Sequence, residues 1–183
     1  MKKFFLFIVI ALAAISVNAQ KITYIAKVGI GGSVNDTPRP YVNFGFEVNF
    51  PISVTNWTFS PSTHGSLVLN DSFGQNAVYM PLAFGYKISL GNKWIFRPTF
   101  GPMVGYAFEK NEGRDYLDGG FIAGPVLGLN FENTHFSVGF QGFYSVTQSE
   151  MADYRYLWPE AYLHCEHSYY NYTGAYLTLG YKF

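Results

Sequence analysis

The sequence predicts an all-β chain: an eight-stranded antiparallel up-and-down transmembrane β-barrel, with a polar, glycine-rich lumen and an apolar exterior that faces lipid. Three observations predict it. Aromatic residues make up 20% of the chain, charged residues only 13%, and glycine occurs 19 times, against about 25% charged in an ordinary soluble domain. Hydropathy alternates with a period of two along about eight segments, the period of a strand rather than a helix. The connections between those segments alternate between long and short, as they do in barrels whose two ends face different compartments.

The elements follow in chain order. Residues 1–19 begin with Lys2 and Lys3, continue through an apolar run to Ile15 and end on Val17, Asn18 and Ala19. This is the pattern of a secretory signal peptide, so the mature chain of 20–183 leaves the cytoplasm. No cysteine follows the cut, which argues against a lipid-anchored form, and Cys165 is the only cysteine, so no intrachain disulfide forms. In the first strand, within 21–34, Tyr24, Ala26, Val28 and Ile30 share one face, with Lys27 and Gly29 on the other. In the second, Val42, Phe44, Phe46, Val48 and Phe50 alternate with Asn43, Gly45, Glu47 and Asn49. The pattern continues through 57–69, 78–90, 94–108, 121–131, 136–146 and 173–183. Pro61, His64 and Gly65 interrupt the third strand, so a bulge or an early end is expected there.

Volume decides which face is inside. An eight-stranded barrel has an interior just wide enough for ordinary side chains, and the apolar face carries too many Phe and Trp rings to fit. The apolar face therefore points outward into lipid, and closure satisfies the backbone there. A soluble barrel would need charged residues at those outward positions. The connections agree. Those at 35–39, 70–75, 109–118 and 147–171 are long, and those at 54–56, 91–93 and 132–134 are short. Ten of the chain's 12 acids fall in the long set, against four cations. The opposite half holds six cations against Glu47 and Glu132. Long external loops and short periplasmic turns place both termini in the periplasm. A formal net charge of zero leaves no basic surface for nucleic acid, and no cofactor motif occurs.

The segments "FEVNFPIS", "WTFSP", "YMPLAFGYKI", "FRPTFGPMVGY", "GLNF" and "LTLGYKF" resemble the outer-membrane protein β-barrel domain family, the PorT-like relatives of the OmpA-type small barrel. The resemblance covers nearly all of the mature chain. It implies a small eight-stranded outer-membrane barrel without enzymatic activity, in a structural or surface-interaction role. The last strand, with Leu177, Leu179, Tyr181 and Phe183 on one face, resembles the C-terminal signal by which such barrels reach the insertion machinery. The implied partners are that machinery, outer-membrane lipid and lipopolysaccharide, and a surface partner of unknown identity. A place in a secretion assembly follows from the resemblance alone.

Several residues are candidates for chemistry. Lys27 and Glu47 fall opposite each other, with Lys87 and Arg97 at similar depth, so a lumenal ion pair among these four is expected. His135 with Ser137, and His64 with Ser66, have the spacing of a nucleophile and its base, which would suit a lipid A- or phospholipid-modifying enzyme. Parity turns both members of each pair inward. In the long last connection, Tyr154, Tyr156, Trp158, Tyr162, Tyr169 and Tyr170 form a candidate interaction surface. His164, Cys165, Glu166 and His167 are weak candidates for a soft metal. Glu109, Glu112, Asp115 and Asp118 are weak candidates for a hard one.

Overall fold

The structure is a computed structural model that describes residues 22–33, 39–52, 55–69, 75–109, 119–157 and 162–183. The signal peptide expected at 1–19 lies outside the described residues. Nine strand segments form one antiparallel sheet: β1 (Thr23–Ser33), β2 (Arg39–Pro51), β3 (Trp57–Val68), β4 (Gln75–Tyr86), β5 (Ile88–Gly91), β6 (Trp94–Glu109), β7 (Gly119–Glu132), β8 (Phe136–Leu157) and β9 (Tyr162–Lys182). Each pairs with its neighbours in sequence, except that β4 and β5 do not pair with each other. β1 also pairs with β9, and β4 also pairs with β6. The ring is therefore closed. β5 carries β4 onward past Lys87, so the barrel has eight strands.

The side chains sort as parity predicts. Val28, Phe44, Phe84, Phe100, Leu127, Phe140 and Leu179 are exposed on the outer surface, while Lys27, Asn43, Glu47, Arg97 and Asn130 are buried inside. Leu177, Leu179, Tyr181 and Phe183 all lie on the outside. Ile25, an apolar residue at an inward position, is fully buried. Inward glycines make room for large polar groups. A Cβ on Gly45 would come within 2.5 Å of the His64 ring, and one on Gly85 within 3.0 Å of Arg97.

Four differences from the sequence expectations have physical causes. First, β3 neither bulges nor ends at Pro61–Gly65. Its register with β2 is the same on both sides, from Glu47↔Ser62 to Phe50↔Phe59, and only the rungs between are missing. Proline has no N–H to donate, so a rung is lost without a shift. Pro61 lies opposite Leu82, Pro81 opposite Met103, and Pro102 opposite Pro125. The prolines thus form a row across β3, β4, β6 and β7. Second, register shifts lie elsewhere: in β8, where Tyr144↔Thr173 is followed by Gln148↔Asn171, and in the short β5–β6 hairpin between Ser89 and Gly91. Third, most of the expected loop at 147–171 is a hairpin: β8 and β9 stay paired from Gln148↔Asn171 to Leu157↔Tyr162. Fourth, the lumen is polar over only one half. In the other, Tyr41, Tyr79, Phe143, Tyr172 and Tyr176 cluster with Met103, Ile122 and Val126. A few rings fit because small inward residues, Ala77 and Ala107 among them, lie in the same cluster.

The tightest turn joins β5 to β6. Asn92 and Lys93 have φ of 46° and 66°, and Gly91 before them has 80°. Two positive φ values in a two-residue loop suit the right-handed twist of a hairpin. Glycine and asparagine tolerate this conformation readily, and lysine does not.

Candidate functional site: a bonded network in the lumen

Two polar systems fill the lumen. The first is a chain of charges. Lys27 Nζ lies 2.5 Å from Glu47 Oε2, and Arg97 Nη2 lies 2.5 Å from Glu47 Oε1. Arg97 Nε donates to Glu132 Oε1 at 2.6 Å, and Lys182 Nζ donates to Glu132 Oε2 at 3.0 Å. Arg97 Nη1 also donates to Ser60 Oγ at 2.9 Å, and Ser60 in turn donates to Asn49 Oδ1 at 2.5 Å. Asn130 closes the arrangement by donating to the Arg97 carbonyl at 3.2 Å. Arg97 has no exposed surface. Five charged residues from β1, β2, β6, β7 and β9 are thus linked across the barrel, and each carboxylate has two cationic partners.

Three of the four lumenal residues expected from sequence, Lys27, Glu47 and Arg97, belong to this chain. Lys87 does not: it is half-buried at the break between β4 and β5 and forms no ion pair with the described residues. Glu132 and Lys182 take the remaining places. The sequence pattern places Glu132 in the turn at 132–134, but β7 runs one residue past Phe131. Because Phe131 points outward, the next residue points in. That alternation was the signal that could have placed it.

The second system surrounds His64, which is almost wholly buried. Its Nδ1 lies 3.0 Å from Asn43 Oδ1 and its Nε2 lies 3.1 Å from Ser62 Oγ. Its ring stacks on Tyr79 at 5.4 Å with an interplanar angle of 11°. Asn43 Nδ2 donates to the Tyr79 hydroxyl at 2.8 Å, and the Tyr176 hydroxyl lies 3.5 Å from His64 Nδ1. The serine beside this histidine is therefore Ser62, while Ser66 bonds the Tyr172 hydroxyl. A serine, histidine and asparagine in this order have the connectivity of a nucleophile, its base and an orienting group. Ser62 is buried as well, and a nucleophile must also reach a substrate. Tyr79 and Tyr176 pack directly against the His64 ring. This geometry packs the lumen.

His135 and Ser137 are not brought together. Ser137 is buried, but His135 is exposed, in the turn before β8. It departs from the inward parity expected because the strand begins only at Phe136. Asn133 caps that turn, its Oδ1 accepting from the amides of His135 and Phe136 at 2.9 and 2.8 Å.

The other candidates are placed only by backbone register. His164, Cys165, Glu166 and His167 lie opposite Arg155, Tyr154, Asp153 and Ala152. Tyr154 and Tyr156 lie on β8, and Tyr162, Tyr169 and Tyr170 on β9. Trp158 lies outside the described residues, as do Glu112, Asp115 and Asp118, while Glu109 ends β6. Among the described residues no three acidic, histidine or cysteine side chains are grouped as metal ligands would be.

No protein-family model matches the chain, and no curated protein matches it either. Solved structures match in fold. Neisserial surface protein A superposes with a TM-score of 0.62 at 8% identity, covering 88% of this chain and 95% of that one. The N-terminal β-barrel domain of OprF from Pseudomonas aeruginosa gives 0.53 at 10% identity, covering 90% and 98%. Ail, the attachment invasion locus protein of Yersinia pestis, gives 0.50 at 12% identity, covering 90% and 99%. The chain shares the fold of these small barrels.

Proposed function

We propose that this chain is an integral outer-membrane β-barrel, with both termini periplasmic, that serves a structural or surface-interaction role and catalyses no reaction. One observation carries the proposal: a closed barrel whose lumen is bonded and whose exterior is a continuous band of Phe, Leu, Val and Trp side chains. An exposed apolar surface of that extent has no place in water and suits a bilayer. The long connections expected from sequence, and the acids they carry, support an interacting surface at the end of the barrel where β1 leads to β2, β3 to β4, β6 to β7 and β8 to β9. The three structural neighbours are named as a surface protein, an attachment invasion protein and a β-barrel domain, which supports the same role. The narrower kinship to PorT-like barrels, and with it a place in a secretion assembly, rests on sequence motifs alone.

Cysteine accessibility tests the placement. In a Cys165→Ser background, Asn35→Cys and Asn70→Cys should react with a membrane-impermeant maleimide on intact cells. Asn133→Cys and Lys93→Cys should react only after the outer membrane is permeabilised. The reverse pattern, or recovery of the chain in the soluble fraction, would overturn the topology. For the enzymatic alternative, purified barrel should release no product from phospholipid or lipid A. Product formation abolished by Ser62→Ala or His64→Ala would replace the structural role with catalysis.

A further inference from the structure

The charges described in the lumen do not cancel. In the linked chain Lys27, Arg97 and Lys182 stand against Glu47 and Glu132, which leaves one positive charge over. Lys87 adds a second. It lies between the rungs Gly85↔Thr99 and Ile88↔Phe96, level with Arg97 on the neighbouring strand. Gly85 is buried and Tyr86 exposed, and the same alternation turns Lys87 inward. Its ammonium is near enough to Glu132, Arg97 and Lys182 to feel all three charges, yet it forms no ion pair with the described residues. Surplus charge in a narrow lumen is costly unless something compensates it.

A second observation falls at the same end. Ser137 lies opposite Glu132 on β7 and Gly180 on β9. It is buried, and its hydroxyl has no hydrogen-bond partner. Such groups are few in folded proteins, and each calls for an explanation such as a bound ion or water. Lys182 is the next inward position on β9 after Gly180. Its Nζ spends one donor on Glu132 at 3.0 Å, and an ammonium has three. Lys87 is half-buried and Lys182 has 12% of its side chain exposed, so both reach the open end of the lumen.

We propose that this end of the lumen, on the side of the short turns, binds a phosphate group between Lys87, Lys182 and Ser137. A phosphate group carries about −1.5 to −2 charges at pH 7 and presents three strong acceptor oxygens. That matches two surplus positive charges and a hydroxyl with no other partner. Glu132 is the one acid beside the site, and Arg97 and Lys182 already occupy both of its oxygens. Tyr86, Ile88, Tyr181 and Phe183 are exposed on the outer surface of the same strands, so the site opens along the barrel axis and not through the wall. The inference goes beyond the surface role proposed above and does not depend on it.

Calorimetric titration tests the inference. The refolded barrel, in octyl glucoside as a phosphate-free detergent, is titrated with inorganic phosphate against a constant excess of chloride. Binding should saturate at one site per barrel. Lys87→Met should weaken it about tenfold or more, as the loss of one charge-assisted hydrogen bond does, and Ser137→Ala should weaken it less. Lys93→Met, which removes an exposed cation from the turn at the same end, should leave it unchanged. Heat-modifiable electrophoretic mobility confirms that each variant is folded. Competitors distinguish the source of the phosphate: displacement by glycerol phosphate assigns the site to soluble phosphates, and displacement only by a short-chain phosphatidic acid assigns it to a lipid headgroup. No saturable binding, or an affinity indifferent to Lys87, would overturn the inference and leave the barrel's proposed surface role untouched.

Discussion

Replacing Arg97 by methionine removes the one residue that holds both lumenal carboxylates. The guanidinium donates to Glu47, Glu132 and Ser60. Three such bonds at about 1.5–3 kcal/mol each set a gross scale of roughly 5–9 kcal/mol. Lys27 and Lys182 still hold one carboxylate apiece, which lowers the net cost to about 3–5 kcal/mol, the usual cost of unpairing a buried charge. Lys182→Met is the internal comparison. Lys182 makes a single 3.0 Å bond to Glu132, with 12% of its side chain exposed, so its loss should cost no more than about 1–2 kcal/mol. Urea unfolding of the refolded barrel, followed by heat-modifiable electrophoretic mobility, measures both. The double variant Arg97→Met with Glu132→Gln should recover at least about 1 kcal/mol relative to additivity, because neighbours in one network couple. A cost for Arg97→Met no greater than that of Lys182→Met, or strict additivity in the double variant, would refute the network as a unit.

Two other substitutions test local geometry. Lys93→Gly should stabilise the barrel by about 0.5–1 kcal/mol, because it relieves a non-glycine residue at positive φ in a turn that favours Asn-Gly; a loss of stability in the same urea assay would show that the Lys93 side chain contributes something the turn geometry omits. Gly45→Ala should cost about 1–3 kcal/mol by overpacking against the His64 ring and the Thr63 carbonyl, and His64→Ala should remove part of that penalty, so an equal cost in both backgrounds would mean that the histidine contact is relieved elsewhere.

The alternation was legible because one physical demand is repeated along every strand. Outward residues are apolar and exposed and inward ones line a narrow lumen, so parity alone located Lys27, Glu47 and Arg97. Where the demand changes, the sequence falls silent. Beyond Val146 the alternation lapses, because the hairpin that continues β8 and β9 is not part of the closed ring, and those residues resembled a loop. Tyrosine was ambiguous for a different reason. Tyr41, Tyr79 and Tyr176 occupy inward positions, but a ring with a hydroxyl suits either side of the wall. Only the structure shows their hydroxyls bonded to Ala175, Asn43 and His64. Pro61 misled because proline in a strand usually signals an edge or a bulge. Here the missing donor was accommodated by dropping rungs in register. Ser62 and Ser66 stand two residues to either side of His64, so spacing cannot choose between them; only the packed lumen shows that Ser62 bonds the imidazole while Ser66 bonds Tyr172.

The ring closes by pairing β1 with β9, from Ile25↔Lys182 to Ser33↔Gly174, and the amide of Phe183 donates to the carbonyl of Tyr24 at 2.9 Å. These contacts join opposite ends of the described chain, and closing so long a loop is entropically slow. Until β9 has been made, β1 has no partner on that side, and the nascent chain carries both an unpaired edge and a full complement of exposed rings. Assembly is therefore necessarily post-translational. Any lesion in β9 should thus be felt as a failure of closure before it is felt as a loss of stability.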